Sequence, residues 1–166
     1  MSFADTLEKI ESSDLFKNFK EQNPDAELVA GFFILDFLSN DTKQTLDYKI
    51  DSKVFTFTLH DNDDITVKED KLMDIPGKPK LSEIKPELEI EVEDLKGIAG
   101  MQALENGISS KFHKIIAILQ IHEDKQVWNL TCMLDGLIIL HILIDSSTGE
   151  IIKFERKSMM DMIRKK

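Results

Sequence analysis

Lys125-Gln126-Val127-Trp128-Asn129-Leu130-Thr131, then Leu134-Asp135-Gly136-Leu137, then Ile144-Asp145-Ser146-Ser147-Thr148-Gly149-Glu150-Ile151 form the stretch that decides how this chain folds. It reads as strand, tight turn, strand, tight turn, strand. Apolar and β-branched residues fill the runs, and Asp, Gly and Ser gather between them. Strands are predicted over 114–122, 126–134 and 137–144, with a fourth over 151–154. Asp135-Gly136 predicts a two-residue type I′ turn, which needs positive φ at both central residues. Gly149 is predicted to take positive φ in the turn that follows.

Upstream, Val92, Leu95, Ile98, Ala99, Ala103 and Leu104 fall at helical spacing, and Asn106-Gly107 closes the helix. Gly97 and Gly100 each cost that helix about 1 kcal/mol relative to alanine, which suggests close packing on a sheet. Glu87-Leu88-Glu89-Ile90-Glu91-Val92-Glu93 alternates acid with apolar and predicts a short extended piece. Pro76, Gly77, Pro79 and Pro86 mark a linker over 74–86.

The first half echoes the second. Phe3, Leu7, Ile10, Leu15, Phe16 and Phe19 predict a helix over 2–21, capped by Ser2, interruptible at Ser12-Ser13-Asp14 and ended by Asn23-Pro24. Strands are predicted over 29–38, 45–50 and 54–59, with an extension at 65–67. Lys43-Gln44-Thr45-Leu46 can be laid on Lys125-Gln126-Val127-Trp128. The fold class expected is α+β, with two helix-plus-antiparallel-meander modules over 1–73 and 87–155. They would pack through their sheets or merge into one sheet. A basic, Met-rich tail over 156–166 would be helical or frayed.

One strand is apolar on both sides: Ile115, Ala117, Leu119 and Ile121 alternate with Ile116 and Ile118. A sheet covered by a single helix layer needs only one apolar face. The second face is expected to be buried by the sister module, by a second copy or by a partner protein.

These residues carry a family resemblance. Ile90-Glu91-Val92-Glu93-Asp94-Leu95 with Ile98-Ala99, the Trp128 strand, and the close from Ile144 to Ile151 resemble a PepSY-type module. That superfamily has a cystatin-like shape, one helix across an antiparallel meander, and a Val-Asp-x-x-Thr-Gly-Glu-hydrophobic ending. The resemblance covers residues 90–154. It implies a non-catalytic module that restrains peptidases or senses ligands, and it supplies no catalytic residue.

The formal net charge is −10, so the chain lacks the basic footprint of a nucleic-acid binder. No apolar run reaches the ~18 residues of a membrane span. Met1-Ser2-Phe3-Ala4-Asp5 does not open a secretory signal, and a cytoplasmic protein is expected. Cys132, the single cysteine, lies in an apolar run and reads as an inert buried thiol. A calcium loop starting at Asp61 would need glycine at 66 and glutamate at 72, where the chain has Thr66 and Leu72. Among the four histidines only His122 and His141 could approach each other, on neighbouring strands. No nucleophile elbow, phosphate loop or dinucleotide fingerprint occurs. No catalytic residue, metal or cofactor is therefore assigned.

The comb Glu87, Glu89 and Glu91 reads first as a solvated edge that blocks strand pairing, and second as a receiver for a basic partner. Met159 and Met162 in the basic tail could meet a protein or an anionic membrane. The function expected is a non-enzymatic protein-interaction or regulatory module, binding a protein partner or itself. The competing readings are an acidic dimeric secretion-type chaperone and a small-molecule binder or enzyme with a helix–sheet pocket.

Overall fold

The computed structural model describes residues 2–39, 42–71 and 81–158. Two helices, α1 (Phe3–Glu11) and α2 (Asp14–Gln22), precede a meander of β1 (Glu27–Asp36), β2 (Thr42–Ile50), β3 (Lys53–Leu59) and β4 (Ile65–Lys71). A short 3-10 turn (Val92–Asp94) leads into α3 (Leu95–Glu105). A second meander follows: β5 (Phe112–His122), β6 (Lys125–Leu134), β7 (Ile138–Asp145) and β8 (Ile151–Ser158).

The expected first helix is split. Ser2 caps α1 in a reciprocal box: its Oγ accepts from the Asp5 N–H, and Asp5 Oδ2 accepts from the Ser2 N–H. Ser13 caps α2 by accepting from the Phe16 N–H. Two serines offering new caps make a fresh start cheaper than continuing through Ser12-Ser13.

All eight strands form one antiparallel sheet in the order β4-β3-β2-β1-β5-β6-β7-β8. The halves merge edge to edge, with Gly31 opposite Leu119, Phe33 opposite Ala117 and Leu35 opposite Ile115. These residues point toward the helices. They continue into Leu46, Phe57, Trp128, Leu130, Leu140 and Ile142, which belong to one buried core with Phe3, Ile10, Leu95 and Ala99. The helices therefore all cover the same face. The sister half does not bury the second face, contrary to one of the arrangements expected. Joining β1 to β5 satisfies two rows of edge hydrogen bonds, a gain that face-to-face packing would forgo.

The turns depart from expectation in an instructive way. Leu134 pairs with Ile138, so the Asp135-Gly136 hairpin has a three-residue loop, and positive φ falls on Gly136 and Leu137. The two-residue turn with positive φ at both positions lies instead at Glu123-Asp124, between His122 and Lys125. Glu123 is disfavoured in that conformation, whereas Asp124 tolerates it. Changing Glu123→Asn together with Asp124→Gly is expected to stabilise the fold by about 1 kcal/mol. The urea midpoint should rise, and an unchanged or lower midpoint would contradict the turn assignment.

Residues 86–91 form no strand. The segment from Leu81 to Glu91 straps the ends of the central strands. The Ile84 N–H donates to the Leu28 carbonyl at 2.8 Å, Lys85 exchanges backbone hydrogen bonds with the Gln126 amide at 2.8 Å each, and Glu89 and Ile90 N–H both donate to the Ser146 carbonyl. Ile84 is buried, and Leu88 and Ile90 pack on the core. The acid–apolar alternation thus records an irregular strap with one side inward. Of the expected linker, 74–80 lies outside the described residues and Ile84 belongs to the core. Residues 156–158 continue β8, so the expected tail begins inside a strand.

A Cβ placed at Gly97 or Gly100 would meet nothing within 4 Å. These glycines do not serve close helix–sheet packing; Ala99 and Ala103, both buried, do that.

Candidate functional site

Two surfaces bear on function once the core is assigned. The first is the sheet face away from the helices. By register, Phe32 lies between Thr45 and Ile118, and Ile34 between Lys43 and Ile116. Asn129 and Thr131 continue the two rows to Leu143 and His141. Phe32, Ile34, Ile116, Ile118, Met133 and Ile139 are half-buried there, while Val127 and Leu143 on the same face are buried. On β5–β8 this face carries Lys114, Lys125, Lys153 and Lys157 against Glu155 and Asp145. That half of the face is net positive on a chain of formal charge −10. Lys114 lies 3.9 Å from Asp36, and Lys153 and Lys157 flank Glu155 at 3.3 and 3.5 Å.

Two titratable groups mark this face. Burial pushes the Asp47 carboxyl above its usual range; the Thr56 hydroxyl, at 2.6 Å, pulls it back, and Asp70 adds to the rise. Burial holds His141 below the ordinary histidine value. Lys153, Lys157 and His122 lower it further and Glu155 opposes them, while Nε2 pairs with Asn129 Oδ1 at 2.8 Å. The unfolded chain therefore binds this proton first. The contribution of His141 is intact above about pH 6.5 and is lost as the pH falls below it toward the folded value. His141→Gln should lessen the drop in thermal midpoint between pH 7.5 and pH 5.5; an unaltered drop would remove His141 as its source.

The edges of the sheet are guarded. β4 ends in Lys68-Glu69-Asp70-Lys71, and β8 carries Lys153, Glu155, Arg156 and Lys157. Charges on an edge oppose extension of the sheet by another strand.

The second surface is a cleft of about 400 Å³ on the helix face, where the two halves meet. Phe33, Leu35 and Phe37 form its floor, and Gln44, Val92, Glu93 and Lys96 line its walls. The Lys96 ammonium sits 4.3 Å from the centre of the Phe37 ring. Gln44 is buried, and its Oε1 accepts from the Thr6 hydroxyl at 2.7 Å.

The residues singled out from sequence fare unequally. Glu91 is a pin: its Oε1 accepts from the N–H of Phe3 at 3.0 Å and of Val92 at 3.2 Å, tying α1 to the start of the α3 segment. It is thus occupied within the fold. Glu87 and Glu89 are exposed, with Glu89 anchored through its backbone. Met159 and Met162 lie outside the described residues. Burial pushes the Cys132 thiol up to about 12, so almost no thiolate exists at neutral pH. His60 shapes the β3–β4 turn, its Nε2 pairing with Thr66 Oγ1 at 2.9 Å, and Asp63 binds Lys9 at 2.9 Å. His122 and His141 stand on β5 and β7 with β6 between them. Among the described residues no group of three His, Cys, Asp or Glu side chains could hold a metal ion. No described helix is long and apolar enough to cross a membrane.

Comparison with known proteins decides the fold and little more. A solved structure shares it. This is the crystal structure of a putative lipoprotein from Clostridium difficile 630, with a TM-score of 0.61, 16% sequence identity, and 87% of this chain matched to 91% of that one. At that identity the likeness shows the α+β architecture alone. No protein-family model and no curated protein matches the chain. The PepSY resemblance rests on the quoted residues.

Gln44, Thr6 and Lys96 have no motif that announces them. The one available signal is phase: Gln44 shares the inward positions of β2 with Leu46 and Tyr48, where an apolar residue is expected.

Proposed function

We propose that this protein is a non-enzymatic interaction module, of the PepSY-like kind, that docks an acidic amphipathic protein segment on the open face of its sheet. The observation that carries this reading is the half-buried apolar floor around Ile116 and Ile118, which no described helix covers and which is rimmed by lysines on an otherwise acidic chain. An apolar patch rimmed by polar groups is the mark of an interaction site. The rim selects the sign of the partner's charge and speeds encounter, while burial of the floor holds the complex. Self-association through this face would bring two like rims together, so a distinct acidic partner fits better than a second copy.

The test uses three amphipathic peptides that share their apolar positions and carry Glu, Gln or Lys at the polar ones, read by fluorescence anisotropy. The Glu peptide should bind about tenfold tighter than the Gln peptide, and the Lys peptide should bind weakest. Lys153→Glu with Lys157→Glu should invert that order, and high salt should compress it. Equal binding of all three, or none, would sink the proposal.

A further inference from the structure

We infer that the cleft between the two halves, on the face opposite the open sheet surface, binds a small apolar molecule ending in a neutral carboxamide. The inference is independent of the protein-docking reading. Its starting point is the Gln44 side chain. Thr6 engages Oε1 at 2.7 Å, and among the described residues Nε2 has no hydrogen-bond partner. No fully buried side-chain nitrogen or oxygen among those residues is left unpaired. The Nε2 group is therefore open to the cleft that Gln44 lines.

The rest of the cleft constrains what could meet that amide. Its floor is aromatic and aliphatic: Phe33, Leu35 and Phe37. Its volume, about 400 Å³, falls within the roughly 300–1,000 Å³ typical of small-molecule sites. The rim bears one cation, Lys96, and one anion, Glu93, so neither net charge is favoured. A primary carboxamide matches this set. Its carbonyl oxygen accepts from Gln44 Nε2 or the Lys96 ammonium, and its N–H donates to Glu93. A carboxylate would meet Glu93 as a like charge, and an ammonium would meet Lys96 in the same way. The Thr6 hydroxyl also lies 3.2 Å from the Ser2 carbonyl. A turned-over Gln44 amide would donate to Thr6 and show its oxygen to the cleft, and a carboxamide complements that orientation as well.

The cleft exists because of how the halves join. Phe3 of α1 roofs the seam at Gly31 and Phe33, and the cleft opens further along the chain, where Leu35 and Phe37 are only half-buried. Glu91 fixes the gap by tying the α1 N-terminus to the turn before α3.

The experiment is a titration of the full-length, ¹⁵N-labelled protein with hexanamide, hexanoate and hexylamine, followed by heteronuclear correlation spectra. Hexanamide should shift the Gln44 side-chain NH₂ pair and the backbone amides of Phe33, Leu35 and Lys96, and should bind more tightly than the other two. Gln44→Leu should weaken it by about tenfold, the worth of a hydrogen bond of this kind. Thr6 keeps the Ser2 carbonyl as a partner in that variant, so the fold is expected to survive. Leu35→Trp, which fills the floor, should abolish binding with the thermal midpoint retained. Equal shifts from all three compounds, binding indifferent to Gln44→Leu, or no shifts up to the solubility of hexanamide would each overturn the inference.

Discussion

Trp128→Ala is expected to cost about 3–5 kcal/mol, a large part of the ~5–15 kcal/mol stability of ordinary domains. Trp128 is fully buried on β6. Its ring meets Phe33 edge-on at 5.7 Å across the seam between halves, so its removal opens a cavity in the part of the core both halves share. Its indole N–H donates to the Ile90 carbonyl at 2.8 Å and so holds the strap. Alanine loses both. Trp128→Phe keeps a ring and loses the donor, and should cost about 1–2 kcal/mol. Because Trp128 is the single tryptophan, far-ultraviolet circular dichroism in urea is the measurement to use. An alanine variant as stable as the parent would mean that the seam is not part of the cooperative core.

Gly149→Val is the second large effect expected, at roughly 2–3 kcal/mol. Gly149 has φ +80, a region costing an L residue about 1–2 kcal/mol, and more when it is β-branched. An added Cβ would also stand 3.1 Å from Ile90 Cδ1. Gly149→Ala should cost less, because a small side chain needs only a modest shift of the Ile90 tip. The turn around Gly149 is built for this fit. Asp145 Oδ1 accepts from the Ser147 N–H at 2.8 Å and hydroxyl at 2.7 Å, the Gly149 N–H donates to the Asp145 carbonyl at 2.9 Å, and Ser146 receives the strap. Those hydrogen bonds hold the Asp145 carboxyl below its usual range. The Asp-x-x-Thr-Gly-Glu sequence is thus a clasp, and its part in the fold is structural. If valine were tolerated in a urea titration, the clasp would not constrain the strap.

The fold was legible where local chemistry decided it. The β5–β7 meander, the positive φ at Gly149 and the capping of α1 by Ser2 each depend on residues close in sequence, and alternation in 128–134 survives in the burial of Trp128, Leu130, Cys132 and Leu134, although Val127 on the other phase is buried too. The misreadings share a cause. Asp135-Gly136 has the composition of a type I′ turn, yet strand register moves positive φ onto Leu137, while Glu123-Asp124 adopts the paired positive φ without the composition. Pairing across whole strands outweighs the one or two kcal/mol at stake in a turn residue. The comb at 87–93 alternates like a strand, but Glu89 and Ile90 donate to the Ser146 carbonyl and Lys85 just before them pairs with the Gln126 side chain, and these distant partners draw the segment across the strand ends.

The candidate sites were less legible. The apolar surplus on Ile116 and Ile118 could be read from alternation, whereas its lysine rim comes from β5, β6 and β8 and assembles only in the sheet. The cleft combines β1, β2, the 3-10 turn and α3, and its key residue, Gln44, carries no motif.

By itself, then, the amino-acid sequence determined most of the element types, the succession of helix and meander in each half, and the alternation along β3 and most of β6, because hydrophobic periodicity and capping act over a few residues. The tertiary structure alone decided that β1 and β5 pair, so that one continuous sheet keeps all its helices on one side. Backbone hydrogen bonding along an edge has no sequence signature, and it is this pairing that leaves one face of the sheet without a described helix over it.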